Sequence, residues 1–221
     1  MLVNEQYRSA VTDDTTVRAL AQKILQDGYV ELPSFLTAQA WESLIALAKN
    51  REQGNKKRAA LAGTIAHELA FSDEIYAFSN RIYRSRCELE GTKYIPLKRS
   101  KQVVGLPYKD GRNGKFNTAT HYHFDGAYIN IIIPIVLPSN AEQDGGSLVI
   151  FPNLRRQYGV FISKFIGRGL RYSDWLRKLW GYKVIRYQLG TCYVFFGDIS
   201  LHGVAPITAG ERMVLTINSH W

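Results

Sequence analysis

Four residues in the second half of the chain have the types and spacing of a metal-dependent site. In the stretch THYHFDG, His123 and Asp125 stand two apart. On a strand, residues i and i+2 point to one face, so an imidazole nitrogen and a carboxylate oxygen can reach one point. That pair alone is a weak signal. A further histidine, His202, follows in GDISLHGVAP, just after the apolar run YVFF. Two imidazoles and one carboxylate on a divalent metal leave three coordination positions open on one side. Those positions can take a bidentate co-substrate and dioxygen. Ten residues on, Arg212 opens the run ERMVLTINSHW, where alternation puts Arg212, Val214, Thr216 and Asn218 on one face. A cation followed by a hydroxyl and an amide on an inward face suits a carboxylate.

The elements that must position these residues are legible in outline. Residues 15–26 carry Val17, Leu20, Ile24 and Leu25 at helical spacing, and Asp27-Gly28 ends that helix. Tyr29 to Leu32 reads as a short strand. Thr37 is an N-cap for a helix to about Ala48, and Ser72 for another to about Leu89. From about Tyr94 the pattern changes to short strand-like runs between Asp-Gly, Asn-Gly and Gly-Gly turns. These runs include KQVVGLPY, TATHYHF, AYINIIIPIVL, SLVIFP, TCYVFFGD and RMVLTINSHW. Short strands between such turns predict an antiparallel barrel or jelly roll, with the helices packed outside its sheet. The expected organisation is one domain over residues 1–221. Residues 1–92 are mainly helical, and residues 93–221 form the jelly-roll core.

Composition narrows the function classes. The chain has 221 residues, 46% of them hydrophobic and 21% charged, which is ordinary for a globular protein. Two cysteines, Cys87 and Cys192, exclude a thiolate cluster and a disulfide framework and suit a reducing compartment. There is no apolar run of membrane-spanning length, and the start lacks a signal-peptide core, so a cytoplasmic location is expected. The net charge of +9 is concentrated. Residues 155–187 hold nine Lys or Arg, including Arg177, against the single acid Asp174, together with eight aromatic residues. This basic, aromatic insertion reads as a lid over an anionic or amphiphilic substrate, or as a peripheral contact with the inner membrane face. Nucleic acid is not expected as the partner.

On these motifs the sequence resembles the Fe(II)- and 2-oxoglutarate-dependent dioxygenases, nearest in pattern to the phytanoyl-CoA dioxygenase-like group. DGYVELPSFLTAQAWESLIALA is similar to that group's N-terminal strand and helix. HFDG supplies the His-x-Asp pair, DGGSLVIFP a Gly-rich turn and strand, and GTCYVFFGDISLHGVAP the strand with the distal histidine. PNLRR stands where many relatives have Pro-Gly-Ser-His, and the insertion after it is long. The resemblance implies an α+β, mainly β fold, a double-stranded β-helix of the cupin-like kind. It implies Fe(II) on His123, Asp125 and His202, with 2-oxoglutarate and O2 as co-substrates and succinate and CO2 as co-products. Arg212 would hold the distal carboxylate of 2-oxoglutarate, with Asn130 and Thr216 as further contacts. Asp125 in the ligand set argues for hydroxylation or desaturation, because halogenating relatives carry Gly or Ala there.

His121, Tyr128 and Arg177 are candidate substrate contacts. A structural role is open for each, and His67 and His220 read as structural or peripheral. A small anionic substrate is one expectation. A sugar-acid lipid precursor at the membrane surface is another, by likeness to the Kdo 3-hydroxylase family. A jelly-roll metal protein of other chemistry is the third, and Arg212 discriminates against it, since isomerisation or hydrolysis needs no dicarboxylate anchor.

Overall fold

The computed structural model describes residues 1–49, 61–111, 122–138, 145–157, 159, 166, 170 and 174–221. The N-terminal part is α1 (Glu5–Thr12), α2 (Asp14–Asp27), β1 (Val30–Leu32), α3 (Ala38–Lys49), α4 (Ile65–Ala70) and α5 (Asp73–Glu90). The caps act as the sequence predicts. Thr37 Oγ1 accepts from Ala40 N and Ser72 Oγ from Ile75 N, and α2 has a cap the sequence reading did not name, Asp13, which accepts from Thr15 N and Thr16 N. The sequence reading missed α1. Tertiary contacts hold this short helix in place: Leu2 N and Val3 N donate to Glu74 Oε2, and Asn4 N to Phe35 O.

The rest is β2 (Val103–Gly105), β3 (Tyr108–Asp110), β4 (Ile129–Val136), β5 (Leu148–Phe151), α6 (Asp174–Leu179), β6 (Lys183–Ile185), β7 (Cys192–Phe195), β8 (Leu201–Val204) and β9 (Glu211–Ser219). Every strand pair is antiparallel. The larger sheet runs β1-β7-β4-β9-β2, with β3 also on β9, and the smaller runs β6-β5-β8. β4 is central and buried on both faces, which is why INIIIPIV lacks polar alternation. Ile129, Ile131, Ile133 and Ile135 pack with Ile24, Leu44, Ile75 and Ile82 of the helices. The other face turns inward, where Ile132, Tyr193, Phe195 and Val214 meet Leu148, Ile150, Ile185 and Tyr187. The result is a jelly roll with helices on the outer face of its larger sheet.

One expectation changes. The basic stretch 155–187 is not wholly an insertion, because it ends as a core strand. β6 pairs with β5, and Ile185 and Tyr187 are buried between the sheets. Strong local charge hid an alternation only three residues long. The expected strand TATHYHF lies mostly outside the described residues. Residues 112–121 lie outside the described residues, and His123 makes a lone bridge to His202. On α6, Trp175, Lys178 and Leu179 are exposed.

Candidate metal centre

The lone bridge brings two of the candidate ligands together. His123 N donates to His202 O at 2.9 Å, and His202 N to His123 O at 3.0 Å. The two rings lie 4.6 Å apart, centroid to centroid. Asp125 N donates to Gly197 O at 3.0 Å, tying the His-x-Asp segment to the turn before His202. His123 Nε2 faces Asp125 Oδ1 at 3.3 Å, and His202 Nε2 faces Asp125 Oδ2 at 3.3 Å. One ligand atom from each residue lies within 4.8 Å of the others. Donors at about 2.0–2.2 Å from one ion and near right angles sit ~3 Å apart, so the carboxylate edges suit a shared metal.

The surroundings fix these ligands. His202 Nδ1 lies 3.1 Å from Ser200 O, and a carbonyl only accepts, so Nδ1 carries a proton and Nε2 is the nitrogen directed at Asp125. Phe195 packs edge-on against the His202 ring at 4.8 Å. Asn130 Nδ2 donates to Asp125 Oδ2. The Asn130 amide packs on Gly197, where any Cβ would overlap it. Burial alone would push the Asp125 carboxyl up. Hydrogen bonds from His123 and His202 overcome that and hold it well below the usual carboxylate range, poised as an anion. The centre opens on one side: the His123 side chain is 56% exposed, against 20% for Asp125 and 7% for His202.

Arg212 lies on the inward face of β9, only 2% exposed. Its Nη2 donates to Tyr187 Oη at 3.4 Å, and its Cζ is 5.1 Å from the Tyr187 ring centroid. Its Nε is buried without a partner, and it has no carboxylate partner among the described residues. Gly146, at φ +82°, packs its backbone over the arginine stem, and a Cβ there would come within 3.0 Å of Arg212 Cδ. A buried cation with an orphan donor under a glycine turn has the chemistry to receive a carboxylate, and none of the described residues supplies one.

Comparison with known proteins adds the fold. No family model matches the sequence, and no curated protein matches it. Solved structures do. A prolyl 4-hydroxylase from Phytophthora capsici superposes with a TM-score of 0.63 at 16% identity, covering 98% of this chain and 66% of that one. The α-ketoglutarate-dependent non-heme epimerase SnoN of nogalamycin biosynthesis gives 0.65 at 15% identity, over 94% of this chain and 84% of that one. A Pseudomonas putida prolyl-4-hydroxylase gives 0.53 at 14% identity, over 92% and 93%. The fold is that of 2-oxoglutarate- and iron-dependent oxygenases. The chain spans about two thirds of the length of the Phytophthora protein.

The structure brings together His123, Asp125 and His202, and sets Arg212 on the same interior as Phe195 and Tyr187. Asn130 reaches Asp125, where the sequence reading expected it on the co-substrate. Thr216 directs its hydroxyl to Gly105 O of β2 at 3.3 Å. Tyr128 does not share the Asn130 face. It lies just before β4 and packs against Tyr83 at 4.8 Å and Trp221 at 5.6 Å, on the helix side. His121 and the Arg177 side chain lie outside the described residues.

Composition also gave no sign of an ion-pair cluster behind the ligands. Arg86 of α5 forks onto Asp198 at 2.7 and 2.9 Å, reaches Glu90 at 3.0 Å, and sits 4.6 Å over the Phe196 ring. Asp198 lies in the turn that presents Gly197 O and Ser200 O to the ligands. Burial outweighs Arg86 and holds the Asp198 carboxyl above its usual value. Arg86→Met strands the largely buried Asp198 and leaves Glu90 with Arg156 alone, so it is expected to cost about 3–5 kcal/mol of stability. Through the turn it should also weaken metal binding roughly 10–100-fold. Urea unfolding and iron titration check the two effects separately.

Proposed function

We propose that this chain is a 2-oxoglutarate- and Fe(II)-dependent oxygenase that hydroxylates a C–H bond of a small, anionic or amphiphilic substrate. The observation that carries the reading is the buried Arg212, with no carboxylate partner among the described residues, facing the interior whose Phe195 packs against the His202 ring of the His-Asp-His set. His123, Asp125 and His202 would hold the iron. When bound, the iron supplies oxygen activation coupled to conversion of 2-oxoglutarate to succinate and CO2. The chain's own residues have defined parts. Ser200 O holds the His202 ring in the ligating tautomer, and Asn130 orients the carboxylate. Arg212 and the Tyr187 hydroxyl offer donors to the distal carboxylate, while Phe195, Ile132 and Val214 keep the interior dry.

The motif order HFDG, DGGSLVIFP, GDISLHGVAP and Arg212 supports a place near the phytanoyl-CoA dioxygenase-like pattern within that superfamily. SnoN is an epimerase, so product mass separates hydroxylation from stereochemical inversion. The exposed Trp175, Lys178 and Leu179 favour, as a second reading, a substrate met at an anionic membrane surface. Salt-sensitive sedimentation with anionic vesicles tests it. The central test is anaerobic titration of metal-free protein with Fe(II) and then 2-oxoglutarate. A weak visible charge-transfer band of the chelated keto acid is expected. Iron binding without the band overturns the co-substrate reading.

A further inference from the structure

Most described cations around the metal centre have anionic partners. Arg86 is held by Asp198 and Glu90, Arg156 lies 3.4 Å from Glu90, and Lys183 lies 3.6 Å from Asp27. Arg212 faces the interior site. Arg155 differs from all of these. Its backbone N–H donates to Ile199 O at 2.9 Å, which fixes it beside the turn that leads to His202. Its guanidinium carbon stands 4.1 Å over the ring of Phe124, the residue between His123 and Asp125. Its Nε is buried without a partner, and among the described residues it makes no ion pair.

Asp198, the acid that acts on Arg155 electrostatically, has both oxygens occupied by Arg86. The local sequence is itself strongly cationic, with nine cations and one acid over residues 155–187. Stacking over a ring uses the face of the guanidinium and leaves N–H donors at its edge for a planar or tetrahedral oxyanion. Phe124 is also next in sequence to His123, the most exposed of the three candidate ligands.

We propose that Arg155 is a substrate-recognition residue that binds an oxyanion, a carboxylate or a phosphate monoester, at the mouth of the metal centre. The assignment rests on the oxygenase reading above and gives its anionic substrate a named anchor. The test uses the full chain under argon, loaded with Fe(II) and saturating 2-oxoglutarate. Benzoate, phenyl phosphate and uncharged benzyl alcohol are titrated in by calorimetry. Wild type is expected to prefer at least one anion over benzyl alcohol roughly 10–100-fold, the worth of hydrogen bonds to a charged group. Comparison of benzoate with phenyl phosphate separates carboxylate from phosphate.

Arg155→Met, which keeps the stem on Phe124, and Arg155→Gln are expected to lose that preference, and Arg155→Lys to restore part of it. Equal affinity for all three probes in wild type overturns the proposal, as does an undiminished preference in whichever neutral variant folds. The visible band is read in the same samples. If wild type lacks the band, the oxygenase reading falls. If the band is present but anion preference is absent, the Arg155 assignment alone falls.

Discussion

His202→Ala is expected to abolish retention of Fe(II) at metal concentrations that saturate the wild type. His202 is the most buried of the three ligands, and its tautomer is set by Ser200 O. Removing it takes away one of three protein donors and leaves the Ser200 carbonyl without its ring partner. The loss in metal affinity should therefore exceed the roughly 10–100-fold typical of changes behind the ligands. Asn130→Ala, which removes only a hydrogen bond to Asp125, belongs in that smaller class and provides an internal scale. The stability cost of His202→Ala should be modest, about 1–3 kcal/mol, because one buried hydrogen bond is broken. The two effects are separable: circular dichroism reports a folded protein, and iron analysis after anaerobic desalting reports no metal. Wild-type iron content in folded His202→Ala protein would sink the ligand assignment.

The contrast between these residues and Arg86 shows what the sequence makes legible. His123 and Asp125 stand two apart in sequence, and Arg212 stands near the start of β9, so local spacing exposed them. The helix caps at Thr37 and Ser72 are equally local. Arg86 and Asp198 are 112 residues apart, and only the packing of α5 on the turn after β7 brings them together. Tyr187 was hidden for a related reason. It closes a basic stretch whose charge suggested surface, yet the last turns of that stretch enter the core as β6. PNLRR, the apparent departure from Pro-Gly-Ser-His, has a local explanation. Asn153 has φ +53°, a left-handed conformation that asparagine tolerates almost as glycine does. Its side chain then bonds Leu25 O of α2, while its backbone N–H meets Ser200 Oγ. The substitution keeps the turn and adds a tie between helix and ligand loop.

Arg212→Met is expected to separate stability from binding in opposite directions. In the ligand-free protein Arg212 is a buried cation with no counter-charge among the described residues, which favours unfolding. A methionine fills similar space between Gly146 and Tyr187 without that charge. Its melting temperature should match or exceed the wild type, and a gain of ~1 kcal/mol would raise it by about 2–4 °C. Binding of 2-oxoglutarate should suffer instead. Removing one partner of a buried charge pair costs about 3–5 kcal/mol, on the order of 10²–10³-fold in affinity. Ligand-induced stabilisation makes the difference visible. At a hundred times the wild-type Kd, 2-oxoglutarate stabilises the iron-loaded wild type by ~2.7 kcal/mol and a hundred-fold weaker variant by only ~0.4 kcal/mol. Tyr187→Phe, which removes one hydroxyl, should fall between the two. A purely structural arginine would behave in the reverse way: its loss would lower the ligand-free melting temperature and leave the 2-oxoglutarate shift intact. That pattern would remove Arg212 from the site and, with it, the dicarboxylate co-substrate.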